Sequence, residues 1–235
     1  MFYIDWTYIV LVLPAMLFAM WASLRVNSVF EKNAKIRNTR GMTGAQAARL
    51  VLDENGLHDV RVEHVSGSLT DHYDPKTRTI RLSDSVYGAD SCAAVGVACH
   101  EAGHAVQDAQ DYAPLRIRNA IVPVTNIGSR LAVPLIILGI LLSALSVYGS
   151  YIAYIGVACF GLSTIFQLVT LPTEFNASRR AQQALESGGI LNEQELRASG
   201  AVLRAAALTY VAALAVSVTQ LLRLLIIVSR SDRRK

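Results

Sequence analysis

Four stretches of the chain are apolar over a bilayer-length run, and most polar positions fall between them. Residues 2–24 are interrupted only by Asp5, residues 131–147 and 152–171 carry no charge, and residues 205–228 contain the single charge of Arg223. About 20 apolar residues in helical conformation cross a hydrocarbon core, so each run predicts a membrane-length helix. An arginine near a helix end can lie along apolar surface and lift its head to the interface, so Arg223 does not exclude the last run, which is expected to span, or else to be tilted, re-entrant or laid along the surface. Only residues 148–151 separate the second and third runs. A link that short predicts a helical hairpin that returns the chain to the side it left.

The polar segments between the runs read as a small α+β unit. Thr43-Gly44-Ala45-Gln46 has the spacing of a capping box, and Ala47, Leu50 and Val51 give the following helix an apolar face until Gly56. Residues 60–65 alternate as a strand does. Residues 69–73 and 78–82 flank Asp74-Pro75-Lys76-Thr77, a turn sequence that predicts a hairpin. A helix rich in small residues is predicted over 91–110, and 114–130, with Arg116, Arg118 and Arg130 among apolar side chains, reads as an interfacial approach to the membrane. Ser187-Gly188-Gly189 stops a helix, and Asn192 with Glu195 starts another.

Composition agrees with membrane residence. Hydrophobic residues are 52% and charged residues 17% of the 235, unlike soluble domains. The positive charges suggest an orientation. Thirteen Lys and Arg lie in 25–130 and four in 172–205, against five from Arg223 onward, so these two segments are expected in the cytoplasm, with Asp5 outside. The absence of a basic residue before the first run favours an uncleaved anchor over a signal peptide. A net charge of +4 without an arginine-rich or aromatic-interleaved stripe argues against nucleic acid as a partner. Cys92, Cys99 and Cys159 cannot all pair, which disfavours a disulfide framework.

The candidate chemistry sits on the small-residue helix. His100 and His104 are four residues apart, so both imidazoles lie on one helical face and can share a metal ion, with Glu101 beside them as a base. Zinc suits such a donor set, and three protein ligands leave a position for water. The hairpin brings 172 onward back to the side of this helix, which makes Glu174 available as the third ligand. His72, on a strand, could donate a hydrogen bond to a developing oxyanion or could support its own turn. An arginine of the 179–180 pair, Arg180 above all, is a second candidate donor.

Several motifs together resemble the YugP-like membrane zinc metallopeptidases of bacteria. They are Leu69-Thr70-Asp71-His72-Tyr73-Asp74-Pro75, Arg81-Leu82-Ser83, the block 97–107, the block 171–181 that contains Glu174, and Ala205-Ala206-Ala207-Leu208-Thr209-Tyr210-Val211-Ala212-Ala213. The layout is also similar to that of HtpX-type and CAAX prenyl proteases. The resemblance implies a zincin-like α+β catalytic unit of helices and a small β-hairpin or sheet, joined to a helical multipass part in the bacterial inner membrane. It implies His100, His104 and Glu174 as ligands of one zinc ion, Glu101 as the catalytic residue, and Leu69, Thr70 and Asp71 in an edge that holds extended substrate. One position departs from the pattern of glutamate-ligand zinc peptidases. Four residues after the ligand Glu, where an Asp often braces a histidine, stands Ser178, whose hydroxyl can accept from an imidazole N–H but adds no charge; Asn176 is an alternative brace.

The expected organisation is an anchor (1–24), a catalytic region (25–130), a transmembrane hairpin (131–171), helices carrying the third ligand (172–204), and an apolar helix with a basic tail (205–235). The expected function is a zinc endopeptidase of the gluzincin type, active at the cytoplasmic membrane face on peptide or membrane-protein substrates, with the lipid bilayer and a membrane adaptor protein as partners. The alternative is a zinc-binding scaffold or quality-control adaptor that cuts nothing. Metal transport is disfavoured, because the apolar runs hold no string of ligands beyond Asp5 and Arg223.

Overall fold

The computed structural model describes residues 6–232, so Asp5 and the last three residues of the basic tail lie outside it. The chain is mostly helical. A π-helical turn, Tyr8–Val12, leads into α1 (Leu13–Asn33); then come α2 (Gly44–Glu54), β1 (Arg61–His64), β2 (His72–Asp74), β3 (Thr79–Leu82), α3 (Cys92–Ala109), α4 (Ala113–Ser143), α5 (Val147–Ser187) and α6 (Glu193–Asp232). Among the described residues, four helices are long and apolar enough to cross a membrane: Tyr8–Asn33, α4, α5 and α6. Two compact units result, one from residues 22–116 and 172–208, the other from 1–21, 117–171 and 209–235.

The first unit contains the sheet, in the order β1-β3-β2. β3 pairs parallel with β1, Val62 opposite Ile80, and antiparallel with β2, Tyr73 opposite Ile80. Local chemistry defines the ends of its helices. The Thr43 hydroxyl accepts from the Gln46 N–H at 3.3 Å while the Gln46 side-chain Oε1 accepts from the Thr43 N–H at 2.9 Å, closing the expected capping box. Past the end of α2, Gly56 takes φ +71°, a conformation costly for a residue with a Cβ. At the start of α6, Asn192 and Glu195 cap each other reciprocally at 2.9 and 3.0 Å. Leu52, Ile80, Leu82, Val95, Leu185 and Val202 are fully buried in one core that draws on α2, the sheet, α3, and the polar-side ends of α5 and α6. Removing such side chains from water is the main favourable contribution to this packing.

The small residues of α3 permit close approach. A Cβ on Gly96 would stand 2.3 Å from the Ser199 hydroxyl, and one on Gly103 would stand 2.8 Å from the Ala177 carbonyl oxygen. Helix α3 is therefore pressed against α6 and α5 at backbone distance.

In the second unit, Ile136, Ala153, Val157, Leu224 and Val228 form a smaller core, while Leu131, Ile137, Leu141, Ile155, Ile165 and Leu168 face outward. Outward apolar faces on bilayer-length helices are what lipid solvates. Arg223 lies with its guanidinium 5.3 Å from the centre of the Tyr8 ring, a cation–π contact that accommodates the charge within the apolar run.

Three expectations are corrected. The hairpin link is not 148–151 but the three residues between α4 and α5, 144–146. A Cβ on Gly149 would fall 2.2 Å from the Ser143 nitrogen, so its absence lets the first turn of α5 press on the end of α4. Residues 114–130 are not a separate interfacial segment but the first part of α4, which runs through Pro123 and Pro134; helices α5 and α6 run on through 171/172 and 204/205, the first of which is also where the two compact units divide. A proline inside a helix removes one backbone hydrogen bond without always ending it, and the packed neighbours offset that loss. Finally, Leu69, Thr70 and Asp71 precede the strand rather than belonging to it. Leu69 has φ +56°, incompatible with extended pairing, and the Asp71 carboxylate turns back to accept from the Ser83 N–H and hydroxyl at 2.7 and 3.0 Å.

Candidate metal centre

Ser91 caps α3 by accepting from the Ala94 N–H at 3.1 Å, which sets where the helix begins. Its pitch then places His100 and His104 one turn apart, with ring centres 4.8 Å apart and ring planes at 85°. Glu174 arrives from α5, three residues beyond the third apolar run. Its Oε2 lies 3.3 Å from His100 Nε2 and 3.5 Å from His104 Nε2. Among the described residues, these three side chains form the only set of three or more potential His, Cys, Asp or Glu ligands close enough to hold one ion.

The opposite edges of both rings are also engaged. His100 Nδ1 is 3.1 Å from the Ser178 hydroxyl, and His104 Nδ1 is 2.9 Å from the Gln107 side-chain Oε1. An N–H at Nδ1 that donates outward leaves the Nε2 lone pair directed at the shared point, the tautomer that a metal-binding imidazole needs. Two imidazole nitrogens and one carboxylate oxygen form a donor set suited to zinc, so the residues present fit the ion. His104 and Glu174 are only 8% and 2% exposed, which keeps competing water away. Burial disfavours the charged His104 imidazole, yet the hydrogen bond and charge of Glu174, with the charge of Glu101 and the Gln107 hydrogen bond, outweigh it and raise its pKa.

Gln107 extends the support. Its amide nitrogen donates to the Thr173 carbonyl and to Asn176 Oδ1, each at 2.9 Å. Arg180 joins the same chain: its Nε donates to Asn176 at 2.7 Å, its Nη1 to Gln110 at 2.8 Å, and its guanidinium lies 6.0 Å from the Tyr112 ring centre. Sequence reading assigned no role to Gln107, although its position three residues after His104 puts both on one face. Glu101 is 8% exposed beside His100. His72 is exposed on β2 with Nδ1 2.8 Å from the Thr70 carbonyl oxygen, the turn-supporting bond that was one of its two readings. Cys99 is buried beside His100 and is not in the ligand set; burial pushes its thiol pKa up, against the thiolate form that binds metals.

A His–His–Glu cluster on packed helices that could hold one metal ion, in a chain whose described residues include four membrane-length helices, points to a membrane-associated metalloprotein. Residues 8–229 match the family described as "Putative neutral zinc metallopeptidase", and the chain belongs to that family. It is 46% identical over 220 residues to the Bacillus subtilis (strain 168) protein named "Putative membrane protease YugP", covering 94% of this chain and 96% of that one. No solved structure matches the chain significantly.

Proposed function

We propose that this protein is a membrane-embedded zinc endopeptidase of the gluzincin type, with one zinc ion per chain held by His100, His104 and Glu174. The observation that carries the proposal is the meeting of both imidazole Nε2 atoms with one Glu174 oxygen at 3.3 and 3.5 Å, contributed from 70 or more residues away in sequence. Support for a zincin-like unit comes from the packing of α3 beside the small sheet. Zinc, when bound, supplies Lewis acidity toward a peptide carbonyl and acidifies water. Glu101 takes the proton of the attacking water and returns it to the leaving amine nitrogen. Ser178 and Gln107 hold the two rings in orientation.

The bond from His72 Nδ1 to the Thr70 carbonyl constrains its role. With Nδ1 donating, a neutral ring has only a lone pair at Nε2, so His72 can serve an oxyanion only as the imidazolium. Arg180 is held by Asn176 and Gln110, and we assign it to positioning Asn176. Strand β2 closes one side of the sheet order, so extended substrate adds along His72–Asp74, with Leu69, Thr70 and Asp71 shaping the approach. The distribution of Lys and Arg favours a cytoplasmic site at the inner membrane of a bacterium, with substrates drawn from membrane proteins.

The test measures zinc per chain and cleavage of a panel of membrane proteins by the purified full chain. Glu101→Gln should keep its zinc and lose roughly 10²–10⁴-fold in rate, while Glu174→Ala should lose zinc. Undiminished cleavage by Glu101→Gln would overturn the proposal. Stoichiometric zinc without any cleavage would favour the adaptor instead.

A further inference from the structure

Beside the metal centre lies a cavity of about 690 Å³, walled by α1, α5 and α6 within the sheet-containing unit. Its lining is mainly apolar, with Val29, Phe175 and Leu208 among the walls, but it includes Arg25, Arg179 and Arg204 and no acidic residue. Each arginine comes from a different helix, at the polar end of its apolar run: Arg25 directly follows residues 2–24, Arg204 directly precedes 205–228, and Arg179 follows 152–171 by two turns. All three are exposed, and Arg179 and Arg204 make no ion pair or side-chain hydrogen bond with another described residue. Gly200 helps keep the space open, since a Cβ there would stand 3.0 Å from both Arg204 Nη1 and Gln182 Oε1.

We propose that this cavity is a binding site for an anionic phospholipid, whose phosphate is held by Arg179 and Arg204 with Arg25 and whose acyl chain lies on the apolar wall. The cavity is of a size that holds a ligand, and its two chemistries, cationic rim and apolar wall, match the two ends of one lipid molecule. An acidic peptide would satisfy the arginines but not the apolar surface, and arginines at the ends of bilayer-length apolar runs suit anionic headgroups. Ser178 lines the same cavity and bonds His100, so an occupant would sit one side chain from the metal ligands.

The test titrates delipidated full-length protein in mild detergent with fluorescent phosphatidylglycerol or phosphatidylcholine. The expected result is one phosphatidylglycerol per chain, bound about tenfold or more tightly than phosphatidylcholine. Arg179→Gln/Arg204→Gln should lose that preference, whereas Arg179→Lys/Arg204→Lys and the outlying Arg197→Gln should retain most of it. The melting temperature and far-ultraviolet circular dichroism of each variant report whether the fold is intact. Equal binding of the two lipids by wild type, an undiminished preference in the glutamine variant with intact fold, or displacement by millimolar inorganic phosphate or an acidic peptide would each overturn the assignment.

Discussion

Gln107 donates from its amide nitrogen to the main-chain carbonyl of Thr173 at 2.9 Å, so the helix that carries both histidines is tied to the residue preceding Glu174. The same side chain accepts from His104 Nδ1, which makes it a brace for ligands on two helices at once.

Gln107→Leu keeps the volume and removes all three of its side-chain bonds, to His104, Thr173 and Asn176. Loss of such an outer partner typically weakens metal binding by 10–100-fold. Competition with a chromophoric chelator should show zinc affinity falling by roughly tenfold or more; wild-type affinity in this variant would mean that the bond to His104 has no influence on the metal.

Ser178 gives a test with two signs. Its hydroxyl orients His100 without contributing charge. Ser178→Ala should weaken zinc binding and Ser178→Asp should tighten it, each by about tenfold, in the same chelator assay. An aspartate that weakens binding would show that the space beside His100 cannot admit a carboxylate.

These relationships were unevenly legible in the sequence. The four-residue spacing of His100 and His104 is a helical period, the two capping boxes are local patterns, and a hairpin between uncharged runs is dictated by their short link; none depends on distant packing. The third side chain could be reached only by counting the chain's return through the hairpin. What could not be read depends on contacts remote in sequence. The extension of α4 through Pro123 and Pro134 and the start of α5 at Val147 rest on packing around Gly139, Gly149 and Gly156, and Leu69 leaves the expected strand because its neighbour Asp71 is held by Ser83. Gln107 lay within the quoted motif, but a glutamine one turn after a histidine has no distinctive signature until Thr173 and Asn176 are seen beside it.

Gly103→Ala sets two effects against each other. Alanine gains up to about 1 kcal/mol of helix propensity over glycine. Its Cβ would lie 2.8 Å from the Ala177 carbonyl oxygen, and forcing apart backbones packed this closely costs about 1–3 kcal/mol. The steric term should prevail, lowering the melting temperature and, because Ala177 lies one turn from Glu174, the zinc content. A more stable variant with full zinc would contradict the close approach of α3 and α5.

The raised pKa of His104 has a definite sign for metal uptake. Coordination requires the neutral ring, so zinc binding expels the proton held through Glu174, and apparent affinity should rise with pH until the raised folded-state pKa is passed. Calorimetry in buffers of different ionisation enthalpy would detect the released proton, and an affinity that does not change with pH below that pKa would refute it. In metal-free protein, the same shift stabilises the fold fully below the unfolded-state value near 6.5 and is lost as pH rises through the higher folded value.

The division of the ligands between α3 and α5 also orders events during biosynthesis. A ribosome that has released residues up to 130 has made both imidazoles, yet the carboxylate that completes the set is still untranslated. The candidate coordination sphere can close only after two further bilayer-length helical stretches have been synthesised, so a truncated or stalled nascent chain carries two of the three ligands and no complete site.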